Sequence, residues 1–273
     1  MLALFFAVLA SGGPERFSPL LAPDAAITLE AHWGPFARSA FGLFQENGSL
    51  QAPCVNVERQ RYVQSDLAPL LPPRPVELGE VWPVPTAAVL TFLRQLHSGA
   101  TDKLHHGFGS APGAFACLRA QSDERLEILL RAHAEFTFED GTTLTPGQFE
   151  GRLVLERESG RVLAFRLALP ARDPNVDVNV PVEFSRGDSR VERFMSADIG
   201  FVPRLELTSG AEVDEDTLEG LSLAEARHRL AHAFYPHEEL AWLPLDEALR
   251  VSRDEQKPLH VVLLFGVLDD ESC

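Results

Sequence analysis

Lysine is nearly missing from this chain. Of its 24 basic residues only Lys103 and Lys257 are lysines. Such arginine bias follows GC-rich coding and suggests a bacterial source. Cysteine is also scarce, with Cys54, Cys117 and Cys273 the whole complement. That excludes a small disulfide-framework protein. Positive charge is short as well, 24 basic against 40 acidic residues, for a net charge of −16. A general nucleic-acid binder needs a basic face to displace counterions, and docking on anionic membranes needs the same sign. The charge balance therefore argues against both classes. No apolar run approaches the roughly 18–20 residues that span a bilayer as a helix.

What remains is globular in character. The 273 residues are 45% hydrophobic and 23% charged, enough for one large domain or two ordinary ones. The stretch from Met1 to Gly12 has the length of a signal peptide's apolar region but lacks a positive flank. Three readings stay open: a cleaved leader, a buried helix or strand, and a gene start assigned too far downstream. The compartment is left unknown and a soluble chain is expected. Asn47-Gly-Ser49 fits a glycosylation sequon and is read as a plain turn.

Residues 1 to about 85 read as irregular. Proline is dense from Pro69 to Pro85, which suggests a loop or PPII segment joining two parts. Residues 86–97 carry a helical stripe of Val89, Phe92, Leu93 and Leu96, with Thr86 as N-cap and Gly99 as stop. A strand-rich block follows from Leu126 to Phe138, closed by the turn Asp140-Gly141. Arg152–Arg157 and Arg161–Leu169 flank Glu158-Ser-Gly160 and predict a hairpin. Asp198–Leu207 predicts one more strand, at a sheet edge because of Pro203. The acidic stretch 208–220, with Asp214-Glu-Asp216, lacks the spaced ligands of a calcium loop and reads as a solvated linker. A domain boundary is placed there. Ser222-Leu-Ala-Glu225 is a capping box opening a helix to Phe234, with Leu223, Ala226, Leu230 and Phe234 inward. Leu245–Glu255 reads as a second helix. The apolar run Leu259–Phe265 has the pattern of a parallel strand buried on both faces.

Helix, Lys257-Pro258, apolar strand, short loop and then cysteine is the order of a thioredoxin-type unit. A cysteine after such a strand sits where a helix N-terminus favours a thiolate. The economical expectation is that the codon after Cys273 is UGA, read in the cell as selenocysteine.

From about residue 145 onward the chain resembles the selenoprotein N family. The stretches that carry the resemblance are 146–153 (Pro-Gly-Gln-Phe-Glu-Gly-Arg-Leu), 175–179, 198–207, 225–230, 234–236 with 243–248, and above all 263–273. In that family the last segment continues Ser-Cys-selenocysteine-Gly, a motif similar to the redox centre of thioredoxin reductases. The resemblance implies a thioredoxin-like carboxyl-terminal domain and a thiol–disulfide role carried by Cys273 with Ser272 as loop neighbour. Asp269 and Asp270 belong to the family's loop without an assigned role. Vertebrate members carry an EF-hand, which is not visible here, and animal members are endoplasmic-reticulum membrane glycoproteins linked to calcium handling.

The expectation is thus an α+β protein. A mixed helix and antiparallel-sheet region over 1–215 precedes a truncated thioredoxin-like α/β unit over 221–273. Its expected partner is a protein or small molecule with a thiol or disulfide, with no nucleic acid and no cofactor; self-association is left open. The 273-residue form itself is expected to be redox-inactive, because Asp269, Asp270, Glu271 and the terminal carboxylate oppose a thiolate. The rival reading is a non-catalytic binding or interaction protein using 1–215.

Other candidates are weaker. Cys54 and Cys117 read as small buried apolar residues, with a disulfide between them left open. His228, His232 and His237 have metal-compatible spacing without the Glu of a zinc-protease motif, and read as surface histidines. A metal site from His97, His105, His106 and His133 requires those side chains to converge. His260 reads as a core or interface residue. Ser196 and Ser222 lack a triad, Ser110–Gly113 matches no phosphate-binding fingerprint, and Arg186-Gly-Asp188 reads as a turn.

Overall fold

Runs of β-type residues fill the chain's middle, and they fold as β-structure. The computed structural model describes residues 15–44, 47–51, 54–102, 113–185, 191–211, 218–234 and 243–261. In chain order the strands are β1 (Ala26–Trp33), β2 (Arg38–Ser39), β3 (Arg59–Val63), β4 (Val81–Pro83), β5 (Ala100–Asp102), β6 (Ala114–Gln121), β7 (Arg125–Ala132), β8 (Ala134–Thr137), β9 (Thr143–Pro146), β10 (Phe149–Glu156), β11 (Val162–Ala168), β12 (Val176–Ser185), β13 (Val191–Phe201), β14 (Leu205–Thr208) and β15 (Glu219–Gly220). The helices are α1 (Gly48–Gln51), α2 (Gln64–Leu67), α3 (Thr86–Leu96), α4 (Leu223–Phe234) and α5 (Leu245–Glu255).

Among the described residues the strands form two antiparallel sheets. The larger runs β15-β6-β7-β10-β11-β14-β1-β3, with β4 also on β6. The smaller runs β2-β13-β12-β9-β8-β5. The α+β class therefore holds, with strands dominating.

The inner face of the large sheet builds the core. Ile128 and Leu130 of β7, Phe149 and Leu153 of β10, Phe165 and Leu167 of β11, and Leu205 and Leu207 of β14 all lie in it. Helix α3 packs onto this face. Phe92 stacks between Tyr62 and Phe165, ring centroids 4.5 and 5.0 Å away. Each fully buried aromatic of this kind contributes about 1.5–3 kcal/mol relative to exposure. The buried Gln95 is satisfied: it accepts from the Tyr62 hydroxyl at 2.9 Å, and its amide donates to the Leu29 carbonyl at 2.9 Å.

The chain crosses between the sheets repeatedly, and one crossing is pinned by buried polar groups. β13 lies in the small sheet and β14 in the large one, so the chain changes sheet at Val202–Arg204. Asn175, fully buried, pins the junction: its amide donates to the Val202 carbonyl at 2.9 Å and accepts from the Val202 N–H at 2.9 Å. Asp198 holds the neighbouring loop, accepting from the Ser39 hydroxyl and from the backbone N–H groups of Phe41 (3.1 Å) and Leu43 (3.2 Å).

Several expectations change. Residues 1–85 are not irregular where described, since β1, β3 and β4 lie there. The proline-dense 69–85 segment is no linker: Leu70, Val76, Trp82 and Val84 are buried in the core, and β4 pairs with β6. Asp198–Leu207 is not one edge strand. Pro203 sits between β13 and β14, and both are flanked on two sides. A proline that cannot donate to a ladder is tolerated there because no ladder runs through it. Asn47 is no plain turn either; its side-chain oxygen accepts from the Ser49 N–H at 2.9 Å and opens α1.

The hairpin around 158–160 forms as expected, with Gly160 in the left-handed region at φ +70°. Helix α3 forms over Thr86–Leu96, although Pro85 rather than Thr86 takes the cap position. α4 opens on Ser222, whose hydroxyl accepts from the Glu225 N–H at 3.1 Å, and α5 forms over Leu245–Glu255. The thioredoxin-like unit does not emerge among the described residues. Leu259–Val261 are exposed and carry no strand, and 262–273 lie outside the described residues. No helix of the described residues is long and apolar enough to cross a membrane.

Candidate functional site

The outer face of the large sheet is unlike the inner one. Its alternate positions are Cys117 and Arg119 on β6, Glu127, Leu129 and Arg131 on β7, Glu150 and Arg152 on β10, Arg166 on β11 and Glu206 on β14. α4 docks on the apolar end of this face. Ala226 and Leu230 pack on Cys117 and Leu129, and the Phe115 and Phe234 rings meet edge to face at 4.9 Å. The helix lies here because Leu223, Ala226, Leu230 and Phe234 recur at helical spacing, giving an apolar stripe that needs cover.

Where the stripe ends, charge begins. Glu127 is fully buried and accepts hydrogen bonds from both Arg119 and Arg152. Removing either partner of such a buried pair would leave an ion stranded. Three strands away, on β14, Glu206 accepts from Arg166 (2.9 Å) and Arg204 (2.7 Å). Burial alone would raise the Glu206 carboxyl, but the two arginine hydrogen bonds outweigh it and hold the group below the usual carboxylate range. Arg227, from α4, pairs with Glu150 at 2.9 Å. Arg131 donates to Gln148, and its guanidinium lies 6.0 Å from the Phe234 ring centroid. Between α4 and the sheet, Arg131, Glu150, Arg152, Arg166 and Arg227, with Leu129, Leu223 and Leu230, line a partly open recess of about 170 Å³. A second cavity of about 440 Å³ adjoins it through the shared residues Glu150, Arg166 and Arg227.

The residues singled out by sequence fare differently. Cys273, Ser272, Asp269 and Asp270 lie outside the described residues, as do His105, His106, His237, Ser110 and Arg186-Gly-Asp188. Cys54 and Cys117 are free thiols, so the disulfide left open between them is not formed. Burial pushes both thiols up to about 11. His97 ends α3 against Phe138, ring centroids 4.9 Å apart, and burial lowers its imidazole below the ordinary value despite the opposing charge of Glu139. His133 is buried on the strand side. Among the described residues no three His, Cys, Asp or Glu side chains converge on a metal position. His228 is exposed and His232 half-buried on α4. His260 is exposed, not a core residue, because no strand forms at 259–261. Ser222 is a helix cap and Ser196 lies on β13 with no catalytic partner among the described residues.

Sequence reasoning missed the arginine cleft. The signal was present as arginines at polar positions of β6, β7, β10 and β11. Only the strand order makes them neighbours.

Fold and cleft together define a two-sheet, strand-rich α+β protein with an arginine-lined recess under a docked helix. Comparison with known proteins supplies the family. The chain is 29% identical to human selenoprotein N over 311 aligned residues, covering 94% of this chain and 51% of the human protein. It is 30% identical to the mouse protein (75% of this chain, 46% of that one) and 33% identical to the zebrafish protein (59% and 34%). By this similarity the chain belongs to a selenoprotein-N-like family. It spans about half the length of the human and mouse relatives. No family profile matches it, and no solved structure matches it.

The stretches that carry the resemblance have structural jobs where they are described. Asn175 and Asp198 fix the sheet-to-sheet junction. Gln148 receives Arg131, and residues 225–230 form the middle of α4 on the cleft.

Proposed function

We propose that the protein acts as a selenoprotein-N-like thiol–disulfide oxidoreductase whose reactive centre is Ser272-Cys273 followed by selenocysteine and glycine. The observation that carries this reading is the similarity to selenoprotein N across 94% of the chain. A selenol, being more acidic than a thiol, supplies the ionised nucleophile near neutral pH. Attack on a substrate disulfide forms a selenium–sulfur bond and breaks the sulfur–sulfur bond; the released thiolate takes a proton. Cys273 then attacks that mixed bond, frees the second substrate thiol and closes a sulfur–selenium bond to its neighbour. An external dithiol returns the pair to the reduced state. The oxidised substrate thus gains two electrons, and the dithiol supplies them. Cys54 and Cys117 do not compete, because burial holds both as thiols.

The test reads the transcript past codon 273 and labels the full-length product with radioactive selenium. Expected are a UGA codon, selenium in the protein, and loss of disulfide reduction in Cys273→Ser. A product without selenium, or a Cys273→Ser variant with unchanged turnover, overturns the reading. The 273-residue form is expected to show little turnover.

A second reading, a binding protein that uses the sheet region, is favoured by one observation: the arginine-lined recess beneath α4.

A further inference from the structure

The two longest strands, β12 and β13, outrun the sheet that holds them. They pair without a break from Val176 opposite Gly200 to Ser185 opposite Val191. β9 accompanies β12 only over 176–179, and β2 accompanies β13 only at 200–201. From Val180 and Ser196 outward the ribbon therefore has no third strand among the described residues. A two-stranded ribbon is marginal in water and gains from another strand.

The two edges of the ribbon differ. On the β2 side, the Ile199 carbonyl accepts from the Ala40 N–H at 2.7 Å. Backbone groups alternate in direction along a strand, so those of Val191, Arg193, Met195 and Ala197 point the same way, past the end of β2. On β12 the same alternation turns Pro181 outward, where it has no N–H to donate. The turn at Gly141 also lies against Pro181. The β13 edge carries neither proline nor lysine over 191–197, two residues that commonly blunt an edge. Phe194 and Met195 on it are 50% and 57% exposed. Phe41 and Leu43, on the loop that Asp198 holds, are exposed as well.

We propose that two copies of this chain join edge to edge through β13, antiparallel about a two-fold axis at Phe194. Outward-pointing residues must meet outward-pointing residues, so the axis passes through a residue and not between two. With the axis at Phe194, Val191 meets the other copy's Ala197, Glu192 meets Ser196 and Arg193 meets Met195. The two Phe194 side chains stand directly opposite, where an aromatic pair stabilises a sheet. An axis at Glu192 or Arg193 sets that residue opposite itself, and one at Met195 sets Glu192 opposite Asp198. Like charges so placed destabilise the pairing. An axis at Ser196 brings Ile199 into the ladder, and its carbonyl is already taken by Ala40. The edge is thus complementary to itself in one register. The contact is small: each half-exposed phenylalanine has about 100 Å² to bury, against about 800 Å² per partner in a tight complex. A micromolar, reversible dimer is expected, independent of Cys273 chemistry.

The test uses the 273-residue chain with Cys273→Ser, which leaves the poorly ionised Cys54 and Cys117 as its native thiols. Sedimentation velocity from micromolar to millimolar concentration should show a monomer–dimer equilibrium. Met195→Pro removes one outward N–H and spares the pairing with β12; Phe194→Asp sets two charges opposite each other. Each should weaken the dimer by about tenfold or more, with circular dichroism showing the fold retained. Leu245→Asp, on exposed α5, should dimerise as the parent does. Phe194→Cys should cross-link under mild oxidation, because facing positions of this kind hold their Cα atoms about 4.5 Å apart, within disulfide reach. Ala197→Cys should not cross-link. A chain that stays monomeric overturns the proposal and leaves the edge to a strand of another protein. A dimer lost in Leu245→Asp but kept in Phe194→Asp overturns it, as does cross-linking through Ala197→Cys and not through Phe194→Cys.

Discussion

Two cysteines show how environment rather than residue type sets chemistry. Cys117 is fully buried between the outer sheet face and α4, and Cys54 is half-buried near α1. Desolvation penalises the thiolate and pushes both thiols up to about 11. At pH 8 a thiol of that kind is ionised about one part in a thousand, too little for ready alkylation. Brief iodoacetamide treatment of the native 273-residue chain should therefore leave Cys54 and Cys117 unmodified, with both labelled after unfolding in urea. Peptide mass analysis distinguishes the sites. Fast labelling of either one in the native protein contradicts the burial assigned to it. The inert character of both residues was legible in sequence, from their apolar neighbours. That they would stay unpaired was not, since pairing depends on the distance between segments 63 residues apart.

At the scale of elements, the docking of α4 is the most consequential event. Leu230 is 2% exposed and meets Cys117 and Leu129. Truncating it should open a cavity and cost about 2–5 kcal/mol. Leu230→Ala is thus expected to lower the urea midpoint clearly, whereas a variant as stable as the parent shows that α4 contributes little to the fold. The helices were readable from local pattern. α4 announces itself by the Ser222–Glu225 capping box and its apolar stripe, and the 152–169 hairpin by two β-type runs around Gly160. α5 was equally readable, yet none of its residues is buried. Amphipathic spacing predicts a helix; it does not supply the surface that covers it. Of the 259–265 run only 259–261 are described, and these carry no strand.

For the whole molecule, acid is the expected stress. The Glu206 and Asp140 carboxyls lie below their usual range. In Glu206 two arginines outweigh burial; in Asp140 the Ser49 hydroxyl and the Thr142 N–H outweigh it. A carboxyl lowered by folding adds stability above its unfolded value, and this is lost as pH falls through the folded value. His97 acts in the same direction. Burial lowers its imidazole, so the unfolded chain takes up the proton first as pH drops below the ordinary histidine range. Thermal midpoints should therefore hold near neutrality, begin to fall as histidine titrates, and fall steeply below pH 4. A midpoint flat from pH 7 to pH 3 contradicts the sign argued for all three groups.

The amino-acid sequence determined the alternation that separates inner from outer face, the three long helices with their stops, and the family resemblance centred on 263–273. These are local properties, set by neighbours within a few residues. The tertiary structure alone decided that 191–208 divides between two sheets, that the proline-rich 69–85 segment is core, and that arginines from β7, β10 and β11 share one recess. Alternation states which side of a strand faces inward. It is silent on which strand lies next to it, and a charged cleft is made by that adjacency.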